Sequence, residues 1–459
     1  MPFIRIKPIE CPSPEIFLTV DETTKFGLKP GDKVEIKAGS AVTHATLAVG
    51  QYENEISLRI LKALGLPQVK GLRLRLEAPG KLQIGPLIGI MVSRSKKYKL
   101  PPYSSQDILL RSFSRYSINV QCLTYVFSPR DVNTVKQSIS GYFLETAPDG
   151  TTHWKRHTFP VPDVVYDRIL FRTFERKAQT KEISSFFLKN NNVEYFNPKF
   201  LNKWETYLIL ITNPELREYL PETRKYENPG KLIDFIENYK RVYLKPANGS
   251  LGKGIVRISL ASKGYIYQYR DGKQPVEGIW KTFEELAAGL KKLITARVYI
   301  MQQGLDLQKF DGKVFDIRVL MQKDGHGMWT NSATVARIAP VGGIFPNVAA
   351  GGHPKGIENL WQELHHTDWS SSQTCYLTRQ ISLKAAQTLE NSLGTFGEIG
   401  LDIGVDVNGI PRIIEINSKP SRKVFPPDQP HLKKVSIQLP IDFAACLAGF
   451  ASDQGLSPS

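Results

Sequence analysis

The sequence predicts a mixed α/β (α+β) protein in which a small β-barrel-like domain and a parallel α/β domain precede a larger α+β region. Three patterns predict this fold class. A turn-and-strand motif occurs twice near the N-terminus, a strand–helix–strand order follows it, and antiparallel strand signals are mixed with helices in the second half. At 459 residues the chain is too long for one core, so we expect several domains.

The composition is that of an ordinary globular protein, with 41% hydrophobic and 23% charged residues. The cysteines (Cys11, Cys122, Cys375 and Cys446) form no C-x-x-C pair, which favours a reducing compartment and argues against a disulfide scaffold or a cysteine zinc site. The N-terminal residues lack the pattern of a signal peptide, and no apolar run approaches the ~20 residues of a membrane helix. We therefore expect a cytoplasmic protein without membrane insertion.

The net charge of +16 is compatible with a polyanionic partner, and the densest basic run is "SRSKKYKL" at 93–100. Acidic polymers, anionic surfaces, nucleotide phosphates and nucleic acid all suit such a charge. Because the charge is spread along the chain, a solvated basic surface is favoured over nucleic-acid binding.

Residues 1–84 are predicted to form the small β domain. The stretches "FGLKPGDKVEIK" (26–37) and "LGLPQVKGLRLRLE" (64–77) each combine Gly-Leu, a turn with Pro and Gly, and alternating apolar and polar residues. A barrel built from a pseudo-repeat and two unrelated turn-and-strand units both explain this pattern.

Residues 85–190 are predicted to form the parallel α/β domain, because strand and helix signals alternate there. The strand signals lie at 84–93, 118–127 and 160–169, and the helical signals at 104–116 and 177–189.

The region after residue 196 mixes helices with strands, and the tail 451–459 is predicted to be disordered. The helical signals lie at 198–212, 230–239, 281–294, 356–366 and 376–394, with an extended connector at 219–223; the strand signals lie at 241–246, 255–260, 296–303, 315–322 and 329–339.

The stretch "LDIGVDVNGIPRIIEINSKP" (401–420) predicts a β-hairpin, because Asn408-Gly409 lies between alternating runs. With these two residues as the loop, Val407 pairs with Ile410. The same register sets Asp402 opposite Glu415, at a non-hydrogen-bonded pair whose Cα atoms are about 4.5 Å apart. It also sets Gly400 opposite Asn417 and Gly404 opposite Ile413, so the carboxylates face a space with few side chains.

Two carboxylates directly opposite each other are destabilising unless a cation lies between them. Oxygen ligands from Asp402, Glu415 and Asn417, with positions left open for water and phosphate, suit Mg²⁺. The alternative is a solvated hairpin edge that carries its charges by accident.

The stretch "LKPANGSLGKGIVRI" (244–258) predicts a glycine loop between two antiparallel strands, which could close over a nucleotide while its N–H groups approach phosphate oxygens. It is not a P-loop, because Gly254 follows Lys253 and a strand follows the loop. Lys245, at the end of the preceding strand, is expected to point at the phosphates. A flexible hairpin without function is the alternative.

Two further stretches carry polar groups suited to a nucleotide site. "FDIRV" sets Asp316 and Arg318 on one face of a strand, where they could bind ribose hydroxyls and phosphate. "FPNVAAGG" offers Asn347 and the amides of Gly351 and Gly352, which could stabilise charge on an acyl or phosphoryl oxygen. A surface ion pair and a plain turn are the alternatives.

Taken in order, these motifs resemble the ATP-grasp superfamily over residues 196–425: the strand lysine and glycine loop, then "MQQGL", "DIR", "NVAAGG" and "D…EIN". The stretches "VPDVVYDRI", "KWETY…LPET" and "KPANGSLGKGI" resemble the endospore coat-associated ATP-grasp proteins of spore-forming bacteria, the YheC/YheD type. The resemblance implies an N-terminal ATP-grasp subdomain with the lid loop at 191–300 and a C-terminal subdomain with the metal hairpin at 301–450.

The resemblance also implies binding of ATP and Mg²⁺, with Mn²⁺ as the alternative ion. Ribose would be held by Asp316, and the γ-phosphate would lie near Asn347. The usual acidic hinge residue is replaced by Gln303, whose carbonyl would accept from the adenine amino group, and a basic residue common in related ligases is replaced by Ala349 and Ala350. The implied nucleotide-binding set is Lys203, Lys245, Asn248, Gly249, Ser250, Gly252, Gly254, Gln302, Gln303, Gly304, Leu305 and Asp316; Arg318, Asn347, Gly351 and Gly352 are the implied catalytic residues; Asp402, Glu415 and Asn417 are the implied metal ligands.

The function expected from these features is an ATP-dependent carboxylate–amine or carboxylate–thiol ligase that acts through an acyl phosphate. Its acceptor would be a small-molecule carboxylate or an acidic polymer, and spore-coat proteins are candidate partners, with the spore coat as a second location. The alternatives are a nucleotide-binding coat protein without turnover and a nucleic-acid-binding protein.

Overall fold

The computed structural model describes residues 3–451 except 96, 103, 250–251, 273, 295–297, 341–350, 365–370 and 423. The tail predicted to be disordered therefore lies, apart from Ala451, outside the described residues. Within the described part of the chain, no helix is both long enough and apolar enough to cross a bilayer.

The N-terminal strands form a closed barrel in the order β1-β5-β2-β4-β3-β7-β6. Both predicted turn-and-strand motifs (26–37 and 64–77) begin at the end of a short helix, where Gly27 and Gly65 have φ of +66°. Both motifs lead into the first strand of an antiparallel hairpin. This equivalence favours the pseudo-repeat over two unrelated units. The elements are β1 (Ile4–Ile9), β2 (Glu15–Leu18), α1 (Val20–Lys25), β3 (Lys33–Ala38), β4 (Ala41–Val49), β5 (Glu55–Ser57), α2 (Leu58–Ala63), β6 (Leu72–Ala78) and β7 (Lys81–Gly85).

The second sheet has the order β10-β11-β9-β8-β13-β14, with β12 paired to β11. Strands β9, β8, β13 and β14 are parallel, as the strand–helix–strand pattern predicted. The strand predicted over 118–127 begins only at Leu123, because the preceding helix continues to Asn119 and ends before Gln121, whose φ is +56°. The elements are β8 (Leu87–Met91), α3 (Asp107–Asn119), β9 (Leu123–Phe127), β10 (Val132–Asn133), β11 (Ser138–Thr146), β12 (Thr152–Pro160), β13 (Val164–Asp167), α4 (Arg172–Glu175), α5 (Ala178–Leu188) and β14 (Glu194–Phe196).

The third sheet is antiparallel, in the order β15-β20-β16-β17-β18-β19. Apolar residues of α7 and α8 cover one of its faces. The helix predicted over 198–212 is shorter, since Asn202 caps it by accepting from the N–H groups of Trp204 and Glu205. The elements are α6 (Lys203–Leu210), β15 (Thr223–Lys225), α7 (Pro229–Tyr239), β16 (Arg241–Pro246), β17 (Val256–Ala261), β18 (Gly264–Asp271), β19 (Gln274–Trp280), α8 (Phe283–Leu293) and β20 (Tyr299–Gln303).

The fourth sheet has the order β24-β23-β22-β25-β26, with β21 paired to β22. Helix α10 packs on one face of this sheet, and α11, which the sequence patterns did not indicate, packs against α3 and thereby joins the second and fourth sheets. The elements are β21 (Lys309–Phe310), β22 (Lys313–Lys323), β23 (Trp329–Ile338), β24 (His353–Gly356), α9 (Ile357–Glu363), α10 (Ser371–Leu393), β25 (Glu398–Val405), β26 (Pro411–Asn417) and α11 (Pro430–Leu447).

Candidate nucleotide and metal site

The hairpin β25–β26 sets Asp402 opposite Glu415 and Gly400 opposite Asn417, as predicted, but by a different path. The loop has three residues instead of two: Asp406 and Ile410 close it, and Gly409 has φ of +79°. The predicted pairs Val407–Ile410 and Gly404–Ile413 are therefore wrong.

The longer loop forms because the Asp406 carboxylate organises it. Its Oδ1 atom accepts from the N–H groups of Asn408 (3.0 Å) and Ile410 (2.9 Å). Closer to the carboxylate pair, the register shifts back by one residue, because Ile414 is an extra residue between Ile413 and Glu415. The two irregularities cancel.

Two arginines of neighbouring strands compensate Asp402. Arg318 on β22 lies with its Nε atom 2.6 Å from Asp402 Oδ1, and Arg337 on β23 lies with Nη2 3.0 Å from Oδ2. Although burial alone would raise it, these guanidinium groups hold the pKa of Asp402 below its ordinary value.

Asp316 lies on β22 opposite Arg337 and is engaged with it. Arg337 Nε donates to Asp316 Oδ1 (2.7 Å), and Arg337 Nη2 donates to Oδ2. Both side chains are buried, and burial raises the pKa of Asp316 in spite of Arg337. Because both carboxylate oxygens face this guanidinium, the geometry speaks against the predicted ribose contact.

A lysine compensates Glu415. The Lys203 ammonium, at the start of α6, lies 2.8 Å from Glu415 Oε1 and donates to the carbonyl oxygen of Gly249 at 3.0 Å. The Lys203 backbone N–H also donates to the carbonyl of Ala247. The first lysine of the predicted site thus joins the carboxylate hairpin to the glycine loop.

The hairpin residues fit a magnesium ion in donor chemistry. Asp402, Glu415 and Asn417 present carboxylate and amide oxygens on one face of adjacent strands. Asp402 Oδ1 is close to Arg318 but too poorly aligned for a hydrogen bond, and it is buried without another donor among the described residues. A side chain at Gly400 would meet Pro420 and Arg318, so the glycine keeps this face open.

Lys245 lies on β16 and lines the cleft between the third and fourth sheets. Its ammonium donates to Gln302 Oε1, and the Gln302 amide donates to Thr223 Oγ1 at 3.3 Å. Burial lowers the pKa of Lys245 to about 8, and the nearby charge of Lys203 adds to this effect. Gln302 therefore faces the cleft as a partner of Lys245.

A narrow cavity separates the third sheet from the fourth. Its volume is about 30 Å³, whereas small-molecule sites usually measure about 300–1,000 Å³. This cavity is therefore too small to hold an adenine in this structure. Its lining is Lys203, Thr206, Tyr207, Leu210, Leu220, Pro221, Lys245, Ile300, Gln302, Ile413, Ile414, Glu415 and Ile416.

The residues predicted as the adenine hinge connect β20 to the segment before β15. The Gln303 N–H donates to the Glu222 carbonyl (2.8 Å), and Gln303 Oε1 accepts from the Glu222 N–H (3.2 Å). The Gln303 side chain is thus already engaged with the backbone of Glu222. Arg241 binds the end of the hinge: its carbonyl accepts from the Gly304 N–H, and its Nη1 donates to the Leu305 carbonyl.

The glycine loop joins β16 to β17 as predicted. Gly252 and Gly254 have φ of +72° and +73°, a region that disfavours other residues. Ser250 and Asn347 lie outside the described residues. Of the paired glycines, Gly351 is exposed and Gly352 is buried.

Comparison with known proteins identifies the family. Residues 192–447 match the family model described as YheC/D-like ATP-grasp, which covers more than half of the chain. The chain belongs to the YheC/D-like ATP-grasp family. The matched segment contains the third and fourth sheets and the cleft between them.

Two relatives from Bacillus subtilis support this assignment. The chain is 25% identical to the endospore coat-associated protein YheD over 82% of this chain and 83% of YheD. It is 24% identical to the endospore coat-associated protein YheC over 72% of this chain and 90% of YheC.

Two solved structures of synthetases align with most of this chain. A D-alanyl-alanine synthetase A from Vibrio cholerae aligns with a TM-score of 0.46 and 11% identity, over 80% of this chain and 98% of that one. The D-cycloserine synthetase DcsG aligns with a TM-score of 0.45 and 14% identity, over 78% and 99%.

Two arginines that contact the predicted site residues were missed by sequence reasoning. Arg337 pairs with both Asp316 and Asp402. The alternation of "ATVARI" sets Arg337 on the same face of its strand as Val335, and this pattern could have indicated that Arg337 is near the site. Arg172 of α4 donates to Asn248 in the glycine loop (3.3 Å). It precedes the ATP-grasp region in the chain, so no local pattern links it to the site.

A buried ionic cluster connects the ATP-grasp region to the domain before it. Glu398, at the start of β25, accepts from Arg168 (2.6 Å) and Tyr166 (2.6 Å) of the parallel domain and also from Arg422. Although burial alone would raise it, the charges of Arg422 and Arg168 hold the pKa of Glu398 below its ordinary value. Beside this cluster, Lys419 lies 2.6 Å from Asp167.

Proposed function

We propose that this protein is an ATP- and Mg²⁺-dependent ligase that joins a carboxylate to an amine through an acyl phosphate. The observation that carries the proposal is the opposed pair Asp402–Glu415, with Asn417 on the same face and with cationic side chains and the glycine loop around it. Opposed carboxylates destabilise a hairpin unless cations offset them, a task that Arg318, Arg337 and Lys203 perform here and that a bound Mg²⁺ would share. Membership of a family with the ATP-grasp fold supports the same function.

In the proposed reaction the substrate carboxylate attacks the terminal phosphate of ATP in line, and the acyl phosphate then reacts with an amine to give an amide, ADP and phosphate. Lys203 and Lys245 would bind phosphate oxygens. Arg318, buried beside Asp402, would stabilise the charge of the phosphoryl group in transfer. Mg²⁺ held by Asp402, Glu415 and Asn417 would supply further charge neutralisation when bound.

The residues around the narrow cavity would bind the adenine. Tyr207, Leu220 and Ile300 offer apolar contacts, and the backbone of Gln302 and Gln303 is the predicted hinge. Gly351 and Gly352 would present N–H groups to the reacting oxygen, together with Asn347.

The acceptor would be a small-molecule carboxylate or an acidic polymer, to which the net charge of +16 is suited. The relatives YheD and YheC are named endospore coat-associated, which supports the spore coat as a location and coat proteins as partners. The same names support the second candidate function, a nucleotide-binding coat protein without turnover, because they state an association and no reaction.

The first experiment is a calorimetric titration with a non-hydrolysable ATP analogue, with and without Mg²⁺. Saturable binding that strengthens with Mg²⁺ is expected. No binding under either condition would contradict both candidate functions.

The second experiment separates the ligase from the coat protein. Pools of carboxylates are incubated with ATP, Mg²⁺ and hydroxylamine, a small amine that converts acyl phosphates into hydroxamates. We expect hydroxamate and ADP with a subset of pools, and neither product with the Glu415→Gln variant. Nucleotide binding without hydroxamate from any small or polymeric carboxylate would favour the coat protein.

A further inference from the structure

Arg172 connects the parallel domain to the glycine loop. It is the first residue of α4, which lies between β13 and the ATP-grasp region. Its Nη1 atom donates to Asn248 Oδ1 at 3.3 Å, and its Nη2 atom donates to the carbonyl oxygen of Leu201 at 2.5 Å. The guanidinium also packs over the ring of Phe200, with its central carbon 4.8 Å from the ring centroid. These contacts hold the guanidinium in one orientation.

One donor of this guanidinium has no protein acceptor. The Nε atom of Arg172 is buried and has no hydrogen-bond partner among the residues that the structure describes. Buried N–H groups without an acceptor are rare in folded proteins, and a catalytic role or a bound ion is among the reasons for such a group. An anionic oxygen is the acceptor that a guanidinium binds best.

Contacts connect Arg172 to the metal hairpin. Its partner Asn248 precedes Gly249, whose carbonyl oxygen accepts from the Lys203 ammonium, and the same ammonium lies 2.8 Å from Glu415 Oε1. Burial lowers the pKa of Arg172, while nearby carboxylates favour its charged form. Arg172 and Lys203 thus contact neighbouring residues of the glycine loop from different segments of the chain.

The contacts also indicate the order in which residues follow one another along the proposed site. Tyr207, Leu220 and Ile300 line the cavity proposed for adenine, and Lys203 lies between that cavity and Gly249. Asn248, the neighbour of Gly249, contacts Arg172, which is not part of the cavity lining. Arg172 therefore lies at the end of the phosphate path that is remote from the adenine.

The geometry points to Arg172 as a binding residue for the phosphoryl group in transfer, which is the terminal phosphate of ATP before the reaction and the acyl phosphate after it. This inference rests on the proposed function and adds a residue from outside the ATP-grasp segment. The planar guanidinium is suited to the task because two of its nitrogens hold the protein while Nε remains for the phosphate. The hydrogen bond to Asn248 would help to keep that donor in position.

The test compares nucleotides that differ by the terminal phosphate. Dissociation constants for Mg²⁺–ADP and for a Mg²⁺-bound non-hydrolysable ATP analogue are measured for the wild type and for Arg172→Ala, Arg172→Lys and Arg176→Ala. Arg176 is the matched control, because it lies four residues later and its side chain is exposed.

We expect Arg172→Ala to weaken binding of the ATP analogue by roughly tenfold or more, the value of one charge-assisted hydrogen bond, and binding of ADP by less than about threefold. Arg172→Lys should recover part of the loss, and Arg176→Ala should bind both nucleotides like the wild type. Thermal unfolding of each variant establishes that it is folded, and Arg172→Gln replaces any variant that is not.

Two outcomes would overturn the inference. Equal losses for both nucleotides would mean that Arg172 only ties down the loop, and unchanged affinities would remove it from the site. Failure of the proposed function is distinguishable because it would be seen in the wild type itself, either as no nucleotide binding or as nucleotide binding without hydroxamate formation.

Discussion

The ammonium of Lys203 lies 2.8 Å from the Oε1 atom of Glu415, and the same ammonium holds the carbonyl oxygen of Gly249. The lysine thus neutralises a proposed metal ligand and tethers the glycine loop. A magnesium ion on Glu415 would take over the first task. The ammonium would then be free to bind phosphate, so metal binding and movement of the loop should be coupled.

Replacing Glu415 by Gln should abolish the effect of Mg²⁺ on nucleotide binding, because the amide removes a negatively charged ligand. We expect the affinity for the ATP analogue to be the same with and without the metal in calorimetry. The fold should persist, since a partly exposed ion pair contributes only about 1 kcal/mol. Glu215→Gln, which breaks an exposed pair with Lys384, is the control and should keep the full metal effect. A preserved response to Mg²⁺ in Glu415→Gln would remove this residue from the metal site.

Nucleotide binding should take up protons in mildly alkaline solution because of Lys245. Burial lowers its pKa to about 8, and phosphate would favour the charged form and raise that pKa on binding. The affinity of the wild type should therefore fall as the pH rises above about 8, as the free protein loses the charge that the complex needs.

Calorimetry at pH 8.5 (~half a unit above that pKa) in buffers of different ionisation enthalpy measures the proton uptake. Lys245→Met should bind more weakly and without this uptake, whereas Lys231→Met, at an exposed position of α7, should behave like the wild type. Identical uptake in Lys245→Met would assign the titration to another group.

Arg337 should be essential for stability, because its removal leaves the buried Asp316 without its partner and leaves Asp402 with Arg318 alone. Arg337→Met is expected to cost about 3–5 kcal/mol, seen as a lower denaturation midpoint in urea. Adding Asp316→Asn should recover part of the loss, since it removes one orphaned charge, and a double-mutant cycle measures this coupling. Lys355→Met, which breaks an exposed pair with Glu363, is the control. Additive losses in the double variant would contradict the buried pair seen here.

The small size of the cavity should make nucleotide association a gated process. A cavity of about 30 Å³ has to widen before adenine enters, so an opening step must come first. In stopped-flow experiments the observed rate should level off at high nucleotide concentration, at the rate of opening. Ile300→Ala, which widens the cavity, should raise that plateau, while Ile279→Ala, exposed on β19, should not. A rate that stays proportional to nucleotide concentration would mean that the open state already prevails.

Local patterns were enough to predict the opposed carboxylates and the glycine loop. Alternation of side chains sets Asp402 and Glu415 on the same face, and the sequence "NGSLGKG" leaves few alternatives to a loop. The predicted loop length was wrong because the prediction rested on Asn408–Gly409 and did not consider Asp406. The carboxylate of Asp406 accepts from two backbone N–H groups and thereby stabilises a longer loop. The bulge at Ile414 hid this error, so the final pairing was right for a partly wrong reason.

Contacts between segments that are far apart in the sequence could not be predicted from local patterns. Arg337 meets Asp316 only because β22 and β23 pair in one register, and that register depends on the packing of the whole sheet. Arg172 meets Asn248 across 76 residues of sequence. Helix α11 was missed because its apolar residues are spread around the helix, with a proline within it.

The contacts of Glu398 indicate what would happen in a truncated form of this protein. The carboxylate begins the strand that carries Asp402, yet Arg168 and Tyr166, which hold it, lie outside the segment 192–447 that defines the family. An excised segment would keep the buried negative charge and lose half of what offsets it. The borders of the family segment are therefore not the borders of a piece of protein that is stable by itself, because a neighbour that the family definition leaves out helps to hold the strand of Asp402 in place.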